Sequence, residues 1–164
     1  MKINLACGHS IKGFENWINI DIKPELAKEY KDFLCHDASK PLPFPEDSVD
    51  VVFCEHFLEH LDMHEAAKVA RGIFRVLKDD GVFRVVVPDA ILRLNEPPEA
   101  FPEAHGHKTA WTYLSLKWLL KNAGFQVHLV KYWDANGDLI EKDRIQDDYG
   151  KIRRPESLIV DGIK

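Results

Sequence analysis

Cysteine is scarce in this 164-residue sequence, and so are long apolar runs and clusters of positive charge. The three cysteines, Cys7, Cys35 and Cys54, are odd in number and widely spaced, which argues against a disulfide framework and favours a reducing compartment. No apolar run approaches the roughly 20 residues that span a bilayer, and no charged and then apolar leader follows Met1. We therefore expect a cytoplasmic protein that does not interact with membranes.

The charge balance argues against a nucleic-acid partner. The 22 Lys and Arg residues are outnumbered by 27 Asp and Glu residues, giving a net charge of −5, and no basic run interrupts this balance. Binding to a phosphate backbone depends on such basic clusters. A chain of this length buries about two thirds of its unfolded surface in one core. We expect residues 1–164 to form a single domain.

Short apolar runs alternate with connections along the chain, as in an α/β protein. A run that stops before Gly8 is the first predicted strand. The others are residues 17–20, 33–35, 49–53, 82–87, 125–133 and 157–163. Because parallel crossovers are almost always right-handed, we predict a mostly parallel, doubly wound sheet in the order 3-2-1-4-5, with helices on both faces and the late strands beyond the fifth.

Helix signals occur twice, and a long irregular segment separates them. Apolar residues from Ala66 to Leu77 lie on one face of a 3.6-residue period, with Lys78 and Gly81 marking the helix end. A second helix is predicted from an N-cap at Ser115 to Ala123, with Gly124 as its stop. Residues 88–111 carry four prolines and are predicted to be a lid or binding loop. Residues 134–138 read as a hairpin-type turn.

Acidic residues follow three successive predicted strands. Asp21, Asp37 and Glu55 should share the sheet edge reached by Gly8, where ligands bind in open α/β folds. Carboxylates there can accept the hydroxyls of a ribose or the amine of an adenine. A nicotinamide fingerprint needs three spaced glycines and an acid about twenty residues later. Only Gly8 is present at those spacings, and Asp21 follows it by thirteen residues, which disfavours a nucleotide-binding oxidoreductase.

Four segments together resemble the class I S-adenosylmethionine-dependent methyltransferases, and more narrowly the small type 11 group. They are LACG with the acid Asp21, Asp37-Ala38 before LPFP, SVDVVFCEHFLEHL, and FRVLKDDGVFRVVVPD. The resemblance runs from Lys2 to about Asp89 and resumes at residues 107–125 and at SLIVDGI. It implies a Rossmann-like methyltransferase fold, S-adenosylmethionine as cofactor, S-adenosylhomocysteine as product and a small-molecule acceptor.

The resemblance also implies three groups of cofactor contacts. The first loop would lie under the methionine part, the residues after strands two and three would hold the ribose and adenine, and those after strand four would lie beside the methyl group. The first group is Ala6, Cys7 and Gly8. In the second, Asp21 would take the ribose hydroxyls, and Ile22, Asp37 and Ala38 would contact the adenine. The third group is Cys54 and Glu55. Asn4, Ala6 and Ser10 replace an acid and two glycines of the family, which predicts weaker cofactor binding.

Transfer of a methyl group from a sulfonium needs mainly a well-positioned acceptor. A hydroxyl acceptor also gains about 10²–10⁴-fold from a general base, and His56 and His107 are the candidate catalytic residues. Because the resemblance extends to proteins of surface-glycan assembly, we expect O-methylation of a small polar acceptor such as a saccharide. Trp111 and Tyr113 are expected to contact it, whereas Trp118 is expected in the core.

His56, His60 and His64 repeat at four-residue spacing, a pattern that raises the question of zinc. No metal is expected, because the fourth strand ends near Cys54 and no cysteine or carboxylate set completes a site. His60 is expected to make a capping or core hydrogen bond. For His105 and His107 a solvated loop is the alternative to catalysis. A non-catalytic domain that binds S-adenosylmethionine or S-adenosylhomocysteine stays open as a second function.

Overall fold

The computed structural model describes residues 1–9, 13–93, 106–133, 139–141 and 157–164, and within them eight strands form one sheet. The strands are β1 Lys2–Leu5, β2 Ile18–Asp21, β3 Phe33–Cys35, β4 Val49–Glu55, β5 Leu77–Pro88, β6 Gln126–Trp133, β7 Leu139–Glu141 and β8 Ser157–Ile163. The α-helices in these ranges are α1 Met63–Val76, α2 Ala90–Arg93 and α3 Tyr113–Ala123. None of the described helices is long and apolar enough to cross a membrane.

The sheet has the order β3-β2-β1-β4-β5-β8-β6-β7. Strands β1 to β5 pair in parallel, and β8 lies antiparallel between β5 and β6. This confirms the predicted order 3-2-1-4-5 and the mostly parallel, Rossmann-like architecture. The turn predicted at residues 134–138 lies outside the described residues.

Both long helices, α1 and α3, pack against the same face of the sheet, with the core side chains of Val52, Phe83 and Val85. On the opposite face, Phe14 and Trp17 pack against alternate residues of the same strands. The described residues 13–17 of the connection between β1 and β2 form turns, and the side chains of Phe14 and Trp17 cover this face of the sheet. The β2–β3 connection contributes a short 3-10 helix, Pro24–Lys28, whose Leu26 packs with Cys7 and Tyr30 apart from the cluster of α1 and α3.

The first long helix, α1, begins and ends at positions set by its neighbours. Asp62 is the N-cap, and its side chain and that of Glu65 form a reciprocal capping box. The helix ends at Val76, earlier than the predicted end near Lys78, because β5 already begins at Leu77. Leu77 pairs with Val49, and a register shift follows before the rest of the β4–β5 ladder.

The second long helix, α3, differs from the prediction at its start and on its outer face. Thr112 is the N-cap, and Ser115 is the third helical residue, whose hydroxyl completes a capping box. Gly124 ends the helix in the left-handed region, as predicted. Trp118 is 60% exposed, so its predicted core position is wrong. The buried stripe lies on the other side of the helix and consists of Leu116, Leu119, Leu120 and Ala123.

A buried ion pair joins the parallel part of the sheet to β8. Arg84 and Asp161 are direct partners in the antiparallel β5–β8 ladder. The guanidinium donates two hydrogen bonds to the carboxylate, at 2.8 and 2.7 Å, and neither side chain is more than 4% exposed. Because both charges are removed from water, this pairing offsets a desolvation cost that each side chain would otherwise bear.

We expect Asp161→Ala to lower the free energy of unfolding by roughly 3–5 kcal/mol, because it leaves a buried guanidinium without its carboxylate. Replacing both partners by apolar residues, as in Arg84→Met with Asp161→Leu, should cost much less. Lys78→Ala is the matched control, since the Lys78–Asp50 pair is about half exposed and should contribute at most about 1 kcal/mol. Urea denaturation measures all three; equal losses for Asp161→Ala and Lys78→Ala would contradict this account.

Candidate functional site

The carboxyl ends of β1 and β4 both turn sharply. Ala6 and Gly8 after β1, and His56 after β4, have φ values of 54°, 51° and 53°, in the left-handed region. A non-glycine residue there costs about 1–2 kcal/mol. Ala6 stands where the resembling family has glycine, so the loop bears a strain that glycine would not.

Asp21, the last residue of β2, is oriented by the backbone around it. Its Oδ2 accepts the Gly8 N–H at 2.9 Å, and its Oδ1 accepts the Lys23 N–H at 3.1 Å. An ionised carboxylate offers about four acceptor positions, so capacity for two further donors is left. The side chain is partly exposed. Asp21 can therefore accept both hydroxyls of a ribose.

Tyr30 holds the loop after β1 through a hydrogen bond and buried packing. Its hydroxyl donates to the Gly8 carbonyl at 2.8 Å, and its ring packs with Cys7 and Leu26 in a small buried cluster. The Cys7 N–H donates to the Ile20 carbonyl of β2 at 2.9 Å. Tyr30 was not among the predicted site residues, because a tyrosine between two strands carries no local signal of this contact.

The side chains after β2 and β3 suit an adenine. Ile22 is 63% exposed, an apolar surface beside Asp21 that a base can cover. Asp37 accepts the Ser39 hydroxyl at 2.7 Å and the Ser39 N–H at 2.9 Å, through one oxygen. The hydrogen bond from the Ser39 hydroxyl, and to a smaller extent the one from its N–H, hold the pKa of Asp37 below its ordinary value. The carboxylate is therefore an acceptor at neutral pH. Ala38 is buried next to it.

Asn4 makes an internal contact and does not face a ligand. Its amide donates to the Asn19 side chain at 2.9 Å, and both residues are buried. Asn19 donates in turn to the carbonyls of Phe14 and Trp17. The position that holds an acid in the resembling family therefore ties β1 to β2 here.

His56 is held between two side chains from different parts of the chain. Its Nδ1 lies 3.0 Å from Glu59 Oε1, and its Nε2 lies 3.3 Å from the Ser157 hydroxyl at the start of β8. The Glu59 side chain is 2% exposed, whereas that of His56 is 20% exposed. Glu59 was not predicted as a site residue, although it lies in the motif EHFLEHL; its burial is a tertiary effect.

His107, from a distant part of the chain, lies near the same carboxylate, with a ring nitrogen within 4.8 Å of a Glu59 carboxylate oxygen. The N–H groups of Lys108 and Thr109 donate to the Glu59 carbonyl at 2.7 and 3.1 Å. The rings of His60 and His107 meet edge to face, with centroids 4.8 Å apart. The structure thus places both predicted bases, His56 and His107, next to Glu59.

One expectation about the acceptor side changes. Trp111 is 1% exposed and packs in the core, so it offers no open stacking surface, and its Nε1 has no hydrogen-bond partner. Tyr113 is partly exposed, with its ring 5.9 Å from that of Tyr132. Of the predicted lid, residues 94–105 lie outside the described residues, and His105 is among them.

Cys7 and Cys54 direct their thiols into the protein interior, with exposures of 4% and 1%. Burial raises the pKa of Cys7 to about 11 and that of Cys54 well above the ordinary value. Only the backbone of these residues can reach a ligand at the sheet edge. Glu55, at the end of β4, is partly exposed there.

The space in front of Gly8 suits a close ligand. A Cβ added to Gly8 would meet no heavy atom of the protein within 4 Å, so the backbone faces open space. The open glycine, the oriented Asp21 and the exposed Ile22 lie along the ends of β1 and β2. These features fit a nucleoside that carries an amino-acid chain.

Residues 5–85 match the model of the methyltransferase domain family. The chain belongs to the class I S-adenosylmethionine-dependent methyltransferases. S-adenosylmethionine is the cofactor that membership of this family implies. No curated protein matches the sequence significantly.

Solved structures show the same fold at low sequence identity. An S-adenosylmethionine-dependent methyltransferase from Archaeoglobus fulgidus has a TM-score of 0.70 at 17% identity, covering 99% of this chain and 85% of its own. One from Thermotoga maritima, described as a possible histamine N-methyltransferase, has a TM-score of 0.70 at 16% identity, and the match covers 99% of this chain and 81% of that one. One from Mesorhizobium loti has a TM-score of 0.70 at 15% identity, and the match covers 99% of this chain and 90% of that one.

The thiol environments predict a pH-dependent pattern of alkylation by iodoacetamide. Exposed Cys35 should react first in the folded methyltransferase, while Cys7 should stay protected as the pH passes 9.0 and react only towards about 11. Because an unfolded chain loses that proton near 9.0, the contribution of Cys7 to stability is complete below this value and is lost as pH rises through about 11. Mass spectrometry of labelled peptides measures this, with denatured protein as control. Equal native rates for Cys7 and Cys35 would contradict it.

Proposed function

We propose that this methyltransferase transfers a methyl group to an oxygen of a small polar acceptor, with a saccharide hydroxyl as the acceptor class, and that residues 1–164 form one catalytic domain. The observation that carries the proposal is His56, held between the buried Glu59 carboxylate and the Ser157 hydroxyl at the carboxyl edge of the sheet. That arrangement suits a general base for a hydroxyl.

The cofactor contacts that we propose follow the carboxyl edge from β1 to β4. The loop backbone after β1 holds the methionine part, Asp21 accepts the ribose hydroxyls, and the residues after β3 hold the adenine. The full set is Ala6, Cys7, Gly8, Asp21, Ile22, Asp37, Ala38, Cys54 and Glu55. Cys7 and Cys54 contribute backbone groups, because their side chains are buried.

When bound, S-adenosylmethionine supplies a methyl group on a positively charged sulfur, so the C–S bond breaks as the C–O bond forms and S-adenosylhomocysteine leaves as a neutral thioether. The protein positions the acceptor and receives its proton. Glu59 Oε1 accepts the Nδ1 hydrogen of His56, which assigns the lone pair to Nε2. That nitrogen faces the Ser157 hydroxyl, and rotation of the buried Ser157 side chain would free Nε2 to take the proton of an acceptor hydroxyl.

An amine acceptor and His107 as the base are alternatives that each have a supporting observation. The Thermotoga maritima neighbour is described as a possible histamine N-methyltransferase, so amines belong in the acceptor screen. His107 is the second candidate base, because it reaches the same carboxylate as His56. A non-catalytic cofactor-binding domain would bind S-adenosylhomocysteine and turn over no acceptor.

Asp21→Ala should weaken binding of S-adenosylhomocysteine by roughly 1–3 kcal/mol, because the ribose hydroxyls lose a charged acceptor. Asp32→Ala is the control, since Asp32 is an exposed residue of the next connection. Isothermal titration calorimetry gives both affinities. If the two variants bind equally well, Asp21 does not hold the ribose.

His56→Gln should lower kcat by about 10²–10⁴-fold in a tritium-transfer screen of saccharides, hydroxy metabolites and amines. Affinity for S-adenosylhomocysteine should stay close to that of the wild type, because His56 acts on the acceptor. His64→Gln is the matched control, as His64 is an exposed histidine of α1.

Full turnover by a variant carrying both His56→Gln and His107→Gln would show that positioning alone drives the reaction. Tight binding of the cofactor with no acceptor consumed in the whole screen would favour the non-catalytic function.

A further inference from the structure

Three potential metal ligands from two distant segments meet beside His56. Glu59, His60 and His107 each present one ligand atom, and these atoms lie within 4.8 Å of one another. Donor atoms around a tetrahedral zinc ion are about 3.4 Å apart, given bond lengths near 2.1 Å. Small side-chain rotations therefore bring the three atoms to coordination distance. We propose that Glu59, His60 and His107 bind a divalent transition-metal ion of the zinc class.

The Glu59 carboxylate has one oxygen in need of a partner. The residue is 1% exposed, and while Oε1 is paired with His56 Nδ1, Oε2 is buried without a hydrogen-bond partner. A buried carboxylate is unfavourable unless both oxygens are compensated. A cation bound at Oε2 supplies that compensation and leaves the contact with His56 in place.

His60 is oriented in the way that metal-binding histidines usually are. Its Nδ1 lies 3.3 Å from the Gly106 carbonyl, an acceptor that requires the hydrogen on this nitrogen. The lone pair is then on Nε2, which is free to coordinate. The same stretch of chain presents His107, because the next two N–H groups, of Lys108 and Thr109, bind the Glu59 carbonyl.

This set differs from the one that the histidine spacing suggested. His64 is exposed in the first turn of α1, while His60 lies in a separate turn before it, so the four-residue repeat does not share one helix face. The fold leaves His56 and His64 out of the set and brings in His107 and the Glu59 carboxylate, which the sequence pattern lacked. Imidazole nitrogens with one carboxylate favour zinc and its neighbours over magnesium or calcium.

Three protein ligands leave one position of a tetrahedral ion open, as in catalytic zinc sites. Resting on the proposed function, an acceptor oxygen could occupy that position and be polarised next to the His56 base. His107, whose lone pair would hold the ion, would then no longer serve as a base. Binding of the ion itself does not depend on which acceptor is used, or on whether the protein turns over.

The test is direct metal binding by the full chain without an affinity tag, stripped with a chelator and titrated with Zn²⁺ by calorimetry and with Co²⁺ by visible absorption. We expect one ion per chain and the strong visible bands of tetrahedral cobalt. Glu59→Gln, His60→Ala and His107→Ala should each weaken binding by more than the roughly 10–100-fold that loss of an outer-shell partner costs. His64→Ala, the matched control, should bind like the wild type.

The proposal is overturned if the wild type binds Zn²⁺ no more tightly than these variants, or if His64→Ala loses as much affinity as His60→Ala. Far-ultraviolet circular dichroism and S-adenosylhomocysteine affinity, measured on each variant, separate loss of the ion from loss of the fold. Because His107 is partly exposed, His107→Ala keeps the test valid even where Glu59→Gln unfolds the protein. Metal binding without turnover would overturn the proposed function alone.

Discussion

Glu59 is a carboxylate almost completely removed from water, and the proposed acceptor side of the site depends on how its charge is balanced. One oxygen is paired with His56, and the backbone carbonyl of the same residue accepts two N–H groups from the segment that carries His107. Removing the carboxylate would therefore release His56, whereas the segment that carries His107 would keep its two hydrogen bonds to the Glu59 backbone carbonyl. A buried charge of this kind is maintained only where its partners are fixed.

The carboxyl edge divides into a proposed cofactor side and a proposed acceptor side, and the two are built from different kinds of contact. On the cofactor side, backbone N–H groups orient Asp21, and a tyrosine hydroxyl supports the Gly8 carbonyl, so main-chain geometry sets the site. On the acceptor side, contacts between side chains of distant segments predominate, as in the bond from Ser157 to His56. The antiparallel insertion of β8 next to β5 makes the proposed acceptor side possible, because it brings Ser157 opposite Pro88 at this edge.

The predictability of the molecule follows the same division. Strand order and the acids after β2 and β3 could be read from local apolar runs and the residue that ends each one, since parallel strands end at a common edge. Trp118 was misplaced because its four-residue spacing from Leu114 suggested a packed pair, whereas α3 leaves both side chains exposed and buries the face of Leu116. The role of Glu59 needed long-range information: its partners are close in sequence at His56 but about fifty residues away at Lys108 and Thr109.

The substitutions that distinguish this chain from its family are not equivalent in cost. Asn4 pairs with Asn19 inside the sheet, and an acid there would be buried with an amide as its partner, so the asparagine suits this particular interior. Ala6 is different, because its left-handed φ carries strain that a glycine would avoid. That strain is opposed by hydrogen bonds to the following residues, from Cys7 to Ile20, from Gly8 to Asp21 and from Tyr30 to Gly8. The loop is thus held in shape by its neighbours rather than by glycine, and its conformation can persist although the glycine pattern of the family does not.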